Sequence, residues 1–144
     1  MATTKKRTMN TSVLQINNIG IWTSDLEGMK NFYVHYFNAS TDEPYYNHTR
    51  DFKSYLLHLN QECTIELMHM PGILPLLHEG KKHFRGMAHF DLLMEDAETI
   101  NGIVQQMKRD GFKVIRSPGF SQRQTYKAAI ADPENNHIQL VALH

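Results

Sequence analysis

Apolar and polar positions along the chain fall into short strand-like runs, interrupted once in each half by a stripe at helical spacing. Val13 to Thr23 is rich in Ile, Leu and Trp and predicts a strand. Ser24-Asp25-Leu26-Glu27 then sets a hydroxyl before a helix and a carboxylate three residues on, the pattern of a capping box. Leu26, Met29, Phe32, Tyr33, Tyr36 and Phe37 follow at helical spacing and mark one buried stripe. Asn38 stands where a left-handed C-terminal cap is wanted, a conformation Asn tolerates better than most residues. Three short strands are expected around Ala39 to Glu43, Tyr55 to Leu59 and Cys63 to Met70, and Pro71-Gly72 ends the last. The first half thus reads β-α-β-β-β.

The second half repeats that plan. Gly86 to Glu95 predicts a strand, and Asp96 caps a helix carrying Ala97, Ile100, Val104 and Met107. Gly111 terminates it. Strands follow over Lys113 to Arg116, Tyr126 to Ala131 and His137 to Leu143, the last two joined by an Asp132-Pro133-Glu134-Asn135-Asn136 turn. Direct comparison supports duplication: Asn18-Ile19-Gly20-Ile21 aligns with His89-Phe90-Asp91-Leu92, and Thr64-Ile65-Glu66-Leu67 with His137-Ile138-Gln139-Leu140. The expected organisation is a polar leader over residues 1–12 and a single domain over 13–143. Within it, module one covers 13–70, a linker 71–86 with the loose stretch His78 to Lys82, and module two 87–143.

Composition narrows the class. The chain has 144 residues, 41% hydrophobic and 21% charged, enough apolar material for one core without staples. Cys63 is the single cysteine, which excludes an internal disulfide framework and a cysteine-based zinc finger and makes the reducing cytoplasm the default compartment. Fifteen basic and 15 acidic side chains balance to +0, so no general nucleic-acid or acidic-lipid surface is expected; Lys5-Lys6-Arg7 reads as solvated. No stretch approaches the ~20 apolar residues of a membrane span.

The segments resemble the vicinal-oxygen-chelate superfamily, which includes glyoxalase I, bleomycin-resistance proteins, fosfomycin-resistance enzymes and extradiol dioxygenases. The matching text is Ile16 to Ile21 leading to Asp25-Leu26 and Asn31-Phe32-Tyr33, then Gly86 to Phe90, then Asp132 to Leu140. The resemblance implies an α+β fold of two tandem βαβββ modules whose sheets form a cupped half-barrel, a site inside the cup, and a homodimer. It carries the family's metal positions onto Asn18, Glu66, His89 and Gln139, where the family usually has His or Gln, Glu, His and Glu.

Alternation fits that geometry. Residues two apart in a strand share a face, so Asn18, Gly20 and Trp22 oppose Ile19 and Ile21, and His89, Asp91 and Leu93 oppose Phe90, Leu92 and Met94. Ile65 and Leu67 bracket Glu66; Ile138 and Leu140 bracket Gln139. A polar pocket is the expectation.

Its chemistry divides into two readings. A divalent metal (Zn, Ni, Mn or Fe) would find His89 and Glu66 as good donors but only neutral carbonyl oxygens on Asn18 and Gln139. In a glyoxalase-like lyase or isomerase, Glu66 is the candidate catalytic base, because Gln139 cannot ionise and stands where the family ties proton transfer to a carboxylate. The same substitutions break the triads of extradiol dioxygenases and of fosfomycin-type thiol transfer. The alternative is a non-catalytic drug- or metabolite-binding protein of the bleomycin-resistance type. Small-molecule contacts are then expected from Trp22, Tyr55, Phe84, Phe120 and Tyr126, with Arg123 as an anion contact. The bland counterpart of both is a hydrogen-bonded polar cluster and ordinary aromatic packing. Of the remaining candidates, His137 shares Gln139's face, Asp91 is placed to orient His89, and His69 points away from Glu66. His58 lies in a strand, His78 and His83 fall in the linker, and Cys63 reads as an inert thiol.

Overall fold

The computed structural model describes residues 15–75, 83 and 85–143. The expected leader, the Lys5-Lys6-Arg7 run, Val13, Leu14, the His78 to Lys82 stretch and Phe84 lie outside them. The described residues form two compact units, one of 15–26 with 33–73, the other of 27–32 with 74–75, 83 and 85–143.

The first unit holds β1 (Asn18–Trp22), β2 (Ser40–Thr41), β3 (Tyr45–Asn47), β4 (Phe52–His58) and β5 (Thr64–His69). They form one sheet in the order β1-β5-β4-β2, with β3 also paired to β4. Only β1 and β5 run parallel. Helix α1 (Leu26–Phe37) contributes residues to both units. Its start is tied by the buried Thr23, whose hydroxyl accepts from the Asp25 N–H at 3.0 Å. The expected stripe is there, with Leu26, Met29, Phe32 and Tyr33 buried and Tyr36 and Phe37 half-buried. Asn38 takes the left-handed conformation (φ 53°) that turns the chain into β2.

Strand bounds in this unit differ from expectation at several points. β1 stops at Trp22. The strand expected over Ala39 to Glu43 shrinks to Ser40–Thr41, and an unexpected β3-β4 hairpin follows. Its turn is built by Asn47, whose side-chain oxygen accepts from the Thr49 and Arg50 N–H groups, and by Asp51 at φ 50°. This turn chemistry starts β4 at Phe52, three residues ahead of Tyr55.

The second unit contains β6 (Phe90–Leu93), α2 (Ala97–Arg109), β7 (Val114–Phe120), β8 (Tyr126–Ala131) and β9 (His137–Ala142), in sheet order β6-β9-β8-β7. α2 is capped at both ends. Asp96 accepts from the Thr99 N–H at 2.8 Å. At the other end Gly111 (φ +88°) closes a Schellman turn, with Gly111 N–H donating to Lys108 O and Phe112 N–H to Met107 O. Ile100, Val104 and Met107 are fully or almost fully buried, as are Ala128, Ile130, Ile138 and Leu140 on the sheet. Complete burial of such side chains is worth roughly 1.5–3 kcal/mol each for Val, Leu, Ile or Met. β7 runs past its expected end at Arg116 to Phe120, with two register irregularities. Pro118 fits there because β7 is an edge strand, where a missing N–H breaks no ladder. β6 is shorter than Gly86 to Glu95, and Gly86 sits at φ +114° outside it.

The duplication read from the sequence extends to register. Gly20 pairs with Glu66 across β1 and β5, and the equivalent Asp91 pairs with Gln139 across β6 and β9. No helix among the described residues is long and apolar enough to cross a membrane.

Candidate functional site

In the first unit, pairing partners share a face of the sheet. Glu66 therefore lies with Gly20, its partner on β1, and with Leu56, its partner on β4. Asn18 and Trp22 flank Gly20 two residues either way, and all three are exposed. The opposite face is the packed one, carrying Leu57, Ile65 and Leu67 without exposed surface. Asn18 is held by Thr64, whose hydroxyl donates to Asn18 Oδ1 at 2.9 Å. Glu66 is half-buried and makes no hydrogen bond or ion pair among the described residues.

Trp22 is joined on this face by aromatics that the sequence reading missed. Its ring meets Phe52 edge-on, with centroids 6.1 Å apart, and Tyr45 meets Phe52 at the same distance. The Arg50 guanidinium lies over the Phe52 ring at 5.3 Å. The available signal was the alternation of Phe52, Ser54 and Leu56, which puts Phe52 on Glu66's side once β4 is started early enough.

Tyr55 requires a correction. It pairs with Leu67 on the packed face, is 8% exposed and has Lys53 Nζ over its ring at 5.8 Å. Strand parity therefore sets it opposite Glu66.

In the second unit, His89 precedes β6 and contacts Asp91 two residues on, Nε2 to Oδ1 at 3.3 Å. Both side chains are exposed, and Asp91 is the register partner of Gln139. Ala129 and His137 belong to the same face by pairing and alternation. Tyr126 does not. It aligns with Ala142, Ala128 and Ile130 on the buried side, and its hydroxyl donates to Asn101 Oδ1 of α2 at 2.6 Å. Phe120 stacks edge-on against it at 5.1 Å. Arg123 sits exposed at the tip of the β7-β8 hairpin, beyond the Tyr126–Ala142 end of the sheet; Ser121 Oγ and Gln124 at φ 61° shape that turn. The substrate contacts expected of Tyr126 and Arg123 are thus separated from Gln139, one by the sheet itself and the other along it.

The other histidines have local roles. His69 lies opposite Glu66, as alternation predicts, and its Nδ1–H donates to Thr23 O at 2.8 Å. His58 meets Asp42 at 2.9 Å, and His83 is exposed. Cys63 is half-buried after an Asn60 turn.

These donors do not fit the divalent metal that the resemblance implies. Among the described residues, no three His, Cys, Asp or Glu side chains come together as a metal-holding group. The first unit offers one carboxylate and an amide already bonded to Thr64, and the second an amide and an imidazole that faces Asp91. Neutral amides replace little of a divalent ion's hydration energy.

A family model described as Glyoxalase/Bleomycin resistance protein/Dioxygenase superfamily matches residues 15–140. A glyoxalase/bleomycin resistance protein/dioxygenase domain from Frankia sp. EAN1pec superposes with a TM-score of 0.76 at 13% identity, over 92% of this chain and 99% of that one. A glyoxalase family protein from Enterococcus faecalis gives 0.72 at 14% identity, over 90% and 98%. Glyoxalase I from Zea mays gives 0.69 at 19% identity, over 88% of this chain and 44% of that one. Likeness at such identities speaks to the fold alone. Among curated proteins, none matches the sequence.

Proposed function

The chain belongs to the Glyoxalase/Bleomycin resistance protein/Dioxygenase superfamily, and from its donor chemistry we propose that it binds a drug-like or metabolite small molecule without a resident catalytic metal. In the first unit Glu66 is the principal polar contact and Asn18 supplies a neutral hydrogen bond; in the second His89 and Gln139 hold the equivalent roles, and the working form is a homodimer. One observation carries this reading: two of the four donor positions hold neutral amides, Asn18 and Gln139, and the Asn18 oxygen already accepts from the Thr64 hydroxyl. A half-buried carboxylate at Glu66, without a partner among the described residues, supports it, because such a group gains most from a ligand that donates a hydrogen bond or carries positive charge.

Metal content of untagged protein, followed by Zn, Ni, Mn and Fe titration of wild type and Glu66→Ala, tests the proposal. The expected result is no stoichiometric metal and no affinity tighter than ~100 μM, about −5.5 kcal/mol. Near-stoichiometric metal that disappears in Glu66→Ala overturns it.

The His89–Asp91 contact favours a second reading, a lyase or isomerase of the glyoxalase class. Asp91 would orient the imidazole for proton transfer within the second unit, and Glu66 is the candidate base of the first. Turnover of hemithioacetals that is lost in Glu66→Gln and reduced in Asp91→Asn selects this reading; absence of turnover in the wild type removes it.

A further inference from the structure

The open face of the first unit's sheet has a shape and a charge that together specify a ligand class. Gly20 leaves a notch beside Glu66, its register partner, where any other residue would project a side chain. The Met68 thioether floors this notch, its Cε 3.0 Å and its Sδ 3.8 Å from where a Gly20 Cβ would lie, and Met68 is the register partner of Trp22, so it lines the path from the indole to Glu66. Two residues along β1, roughly 7 Å at strand spacing, Trp22 keeps 44% of its surface exposed although the Phe52 ring, itself met by Tyr45, backs it. The Phe52 ring already carries a cation on its face, the Arg50 guanidinium, which leaves Trp22 and the exposed Tyr45 as the available aromatic surfaces, Trp22 being the one on the strand that pairs with Glu66. Trp is the strongest cation–π platform among side chains. Glu66, half-buried and without a protein partner among the described residues, supplies the matching negative charge at the other end of the span.

Building on the proposed small-molecule binding, we infer that this face takes a planar aromatic cation, its ring system lying on Trp22 and its amino or ring N–H group reaching over Gly20 to Glu66. A fused two- or three-ring system covers the span from indole to carboxylate. Aromatic stacking fixes the plane of the ligand, and the charge-assisted hydrogen bond to Glu66 fixes its direction. An anion of the same shape meets an unfavourable carboxylate instead.

Trp22 is the single tryptophan of the chain, so its fluorescence reports this face alone. Titrations should use proflavine, a planar aromatic cation, and 1-pyrenesulfonate, a planar anion, against wild type, Glu66→Gln and Phe52→Leu. Proflavine is expected to quench Trp22 saturably and to bind wild type at least tenfold more tightly than 1-pyrenesulfonate does. Glu66→Gln should weaken proflavine at least tenfold and leave the anion unchanged or improved; Phe52→Leu should weaken both several-fold. Equal binding of the two probes, proflavine affinity indifferent to Glu66→Gln, or no saturable quenching overturns the inference. Phe52→Leu keeps the carboxylate, so the aromatic contribution can still be read if Glu66→Gln folds poorly. Metal titration is independent of this readout. Failure of the planar-cation assignment without tight metal binding leaves the proposed function standing, whereas tight metal binding overturns that function whatever proflavine does.

Discussion

The two sheets share one register and carry different chemistry on it. Gly20 faces Glu66 in the first unit where Asp91 faces Gln139 in the second, so a small residue beside a carboxylate has as its counterpart a carboxylate beside an amide. The first face continues into the Trp22, Phe52 and Tyr45 rings. The second continues into Ala129 and the exposed Leu93, and its charged residue Asp91 is engaged by His89. Duplication thus conserved what backbone pairing and packing demand, whereas side chains on the outer faces were free to diverge. The first unit leaves the Glu66 carboxylate without a partner among the described residues; the second sets the Asp91 carboxylate against the His89 ring.

The strongest way to break this comparison is to attack what the units have in common. Leu67 and Leu140 occupy equivalent positions and neither has exposed surface. Leu67→Ala and Leu140→Ala should each cost about 2–5 kcal/mol, the usual range for a buried Leu truncation, as read by urea denaturation. A near-zero cost at either position would show that the repeat is one of backbone only. The next test targets the difference. Gln139→Glu sets a second carboxylate in register with Asp91 and near His89, giving the second unit three ionisable donors. Zinc affinity by calorimetry should then rise at least tenfold over wild type, about 1.4 kcal/mol, and the added like charge should lower the melting temperature. Unchanged zinc affinity would mean that the neutral amide is not what weakens the donor set.

Much of this was legible in the sequence because it depends on short-range rules. Helical spacing gave both helices, Asp96 and Gly111 marked the ends of α2, and Asn38 marked the left-handed turn after α1. The internal repeat aligned residues that the structure pairs equivalently. Tyr55 and Tyr126 were not legible in the same way. An aromatic residue serves a packed face as well as an open one, and only the register with Leu67 and Ala142 decides between them. The Phe52 wall was hidden by a hairpin whose turn rests on the Asn47 side chain and a positive φ at Asp51, features that hydrophobic periodicity does not encode. Whether Glu66 finds a partner depends on tertiary neighbours, and alternation alone carries no information about it.

A smaller effect sharpens the reassignment of Tyr126. Its hydroxyl ties β8 to Asn101 of α2, so Tyr126→Phe should cost about 0.5–1.5 kcal/mol, the usual net worth of an intramolecular hydrogen bond. Proflavine quenching of Trp22 should not change. A loss of stability measured by denaturation with ligand response intact places Tyr126 in the packing of the second unit; an altered ligand response would return it to the binding face.

The smallest expected effect is a pH dependence at the start of α2, which is capped by the Asp96 carboxylate. The Thr99 backbone N–H, and then the Thr99 hydroxyl, hold Asp96 below the ordinary carboxylate range. A carboxyl that binds its proton less readily in the folded state than in the unfolded chain stabilises the fold above the unfolded pKa. That contribution is lost as pH falls toward and through the lowered folded value, because the unfolded chain takes up the proton first. Asp96→Asn retains a capping oxygen and removes the titration. Thermal melts at pH 7 should therefore show a small difference between the two proteins, and melts stepped from pH 5 to pH 2 should show wild type losing more stability than Asp96→Asn. Asp96→Ala removes the cap and should melt a few degrees lower at pH 7, with the same flattened response to acid. Parallel acid profiles for wild type and Asp96→Asn would transfer the acid sensitivity to other carboxylates.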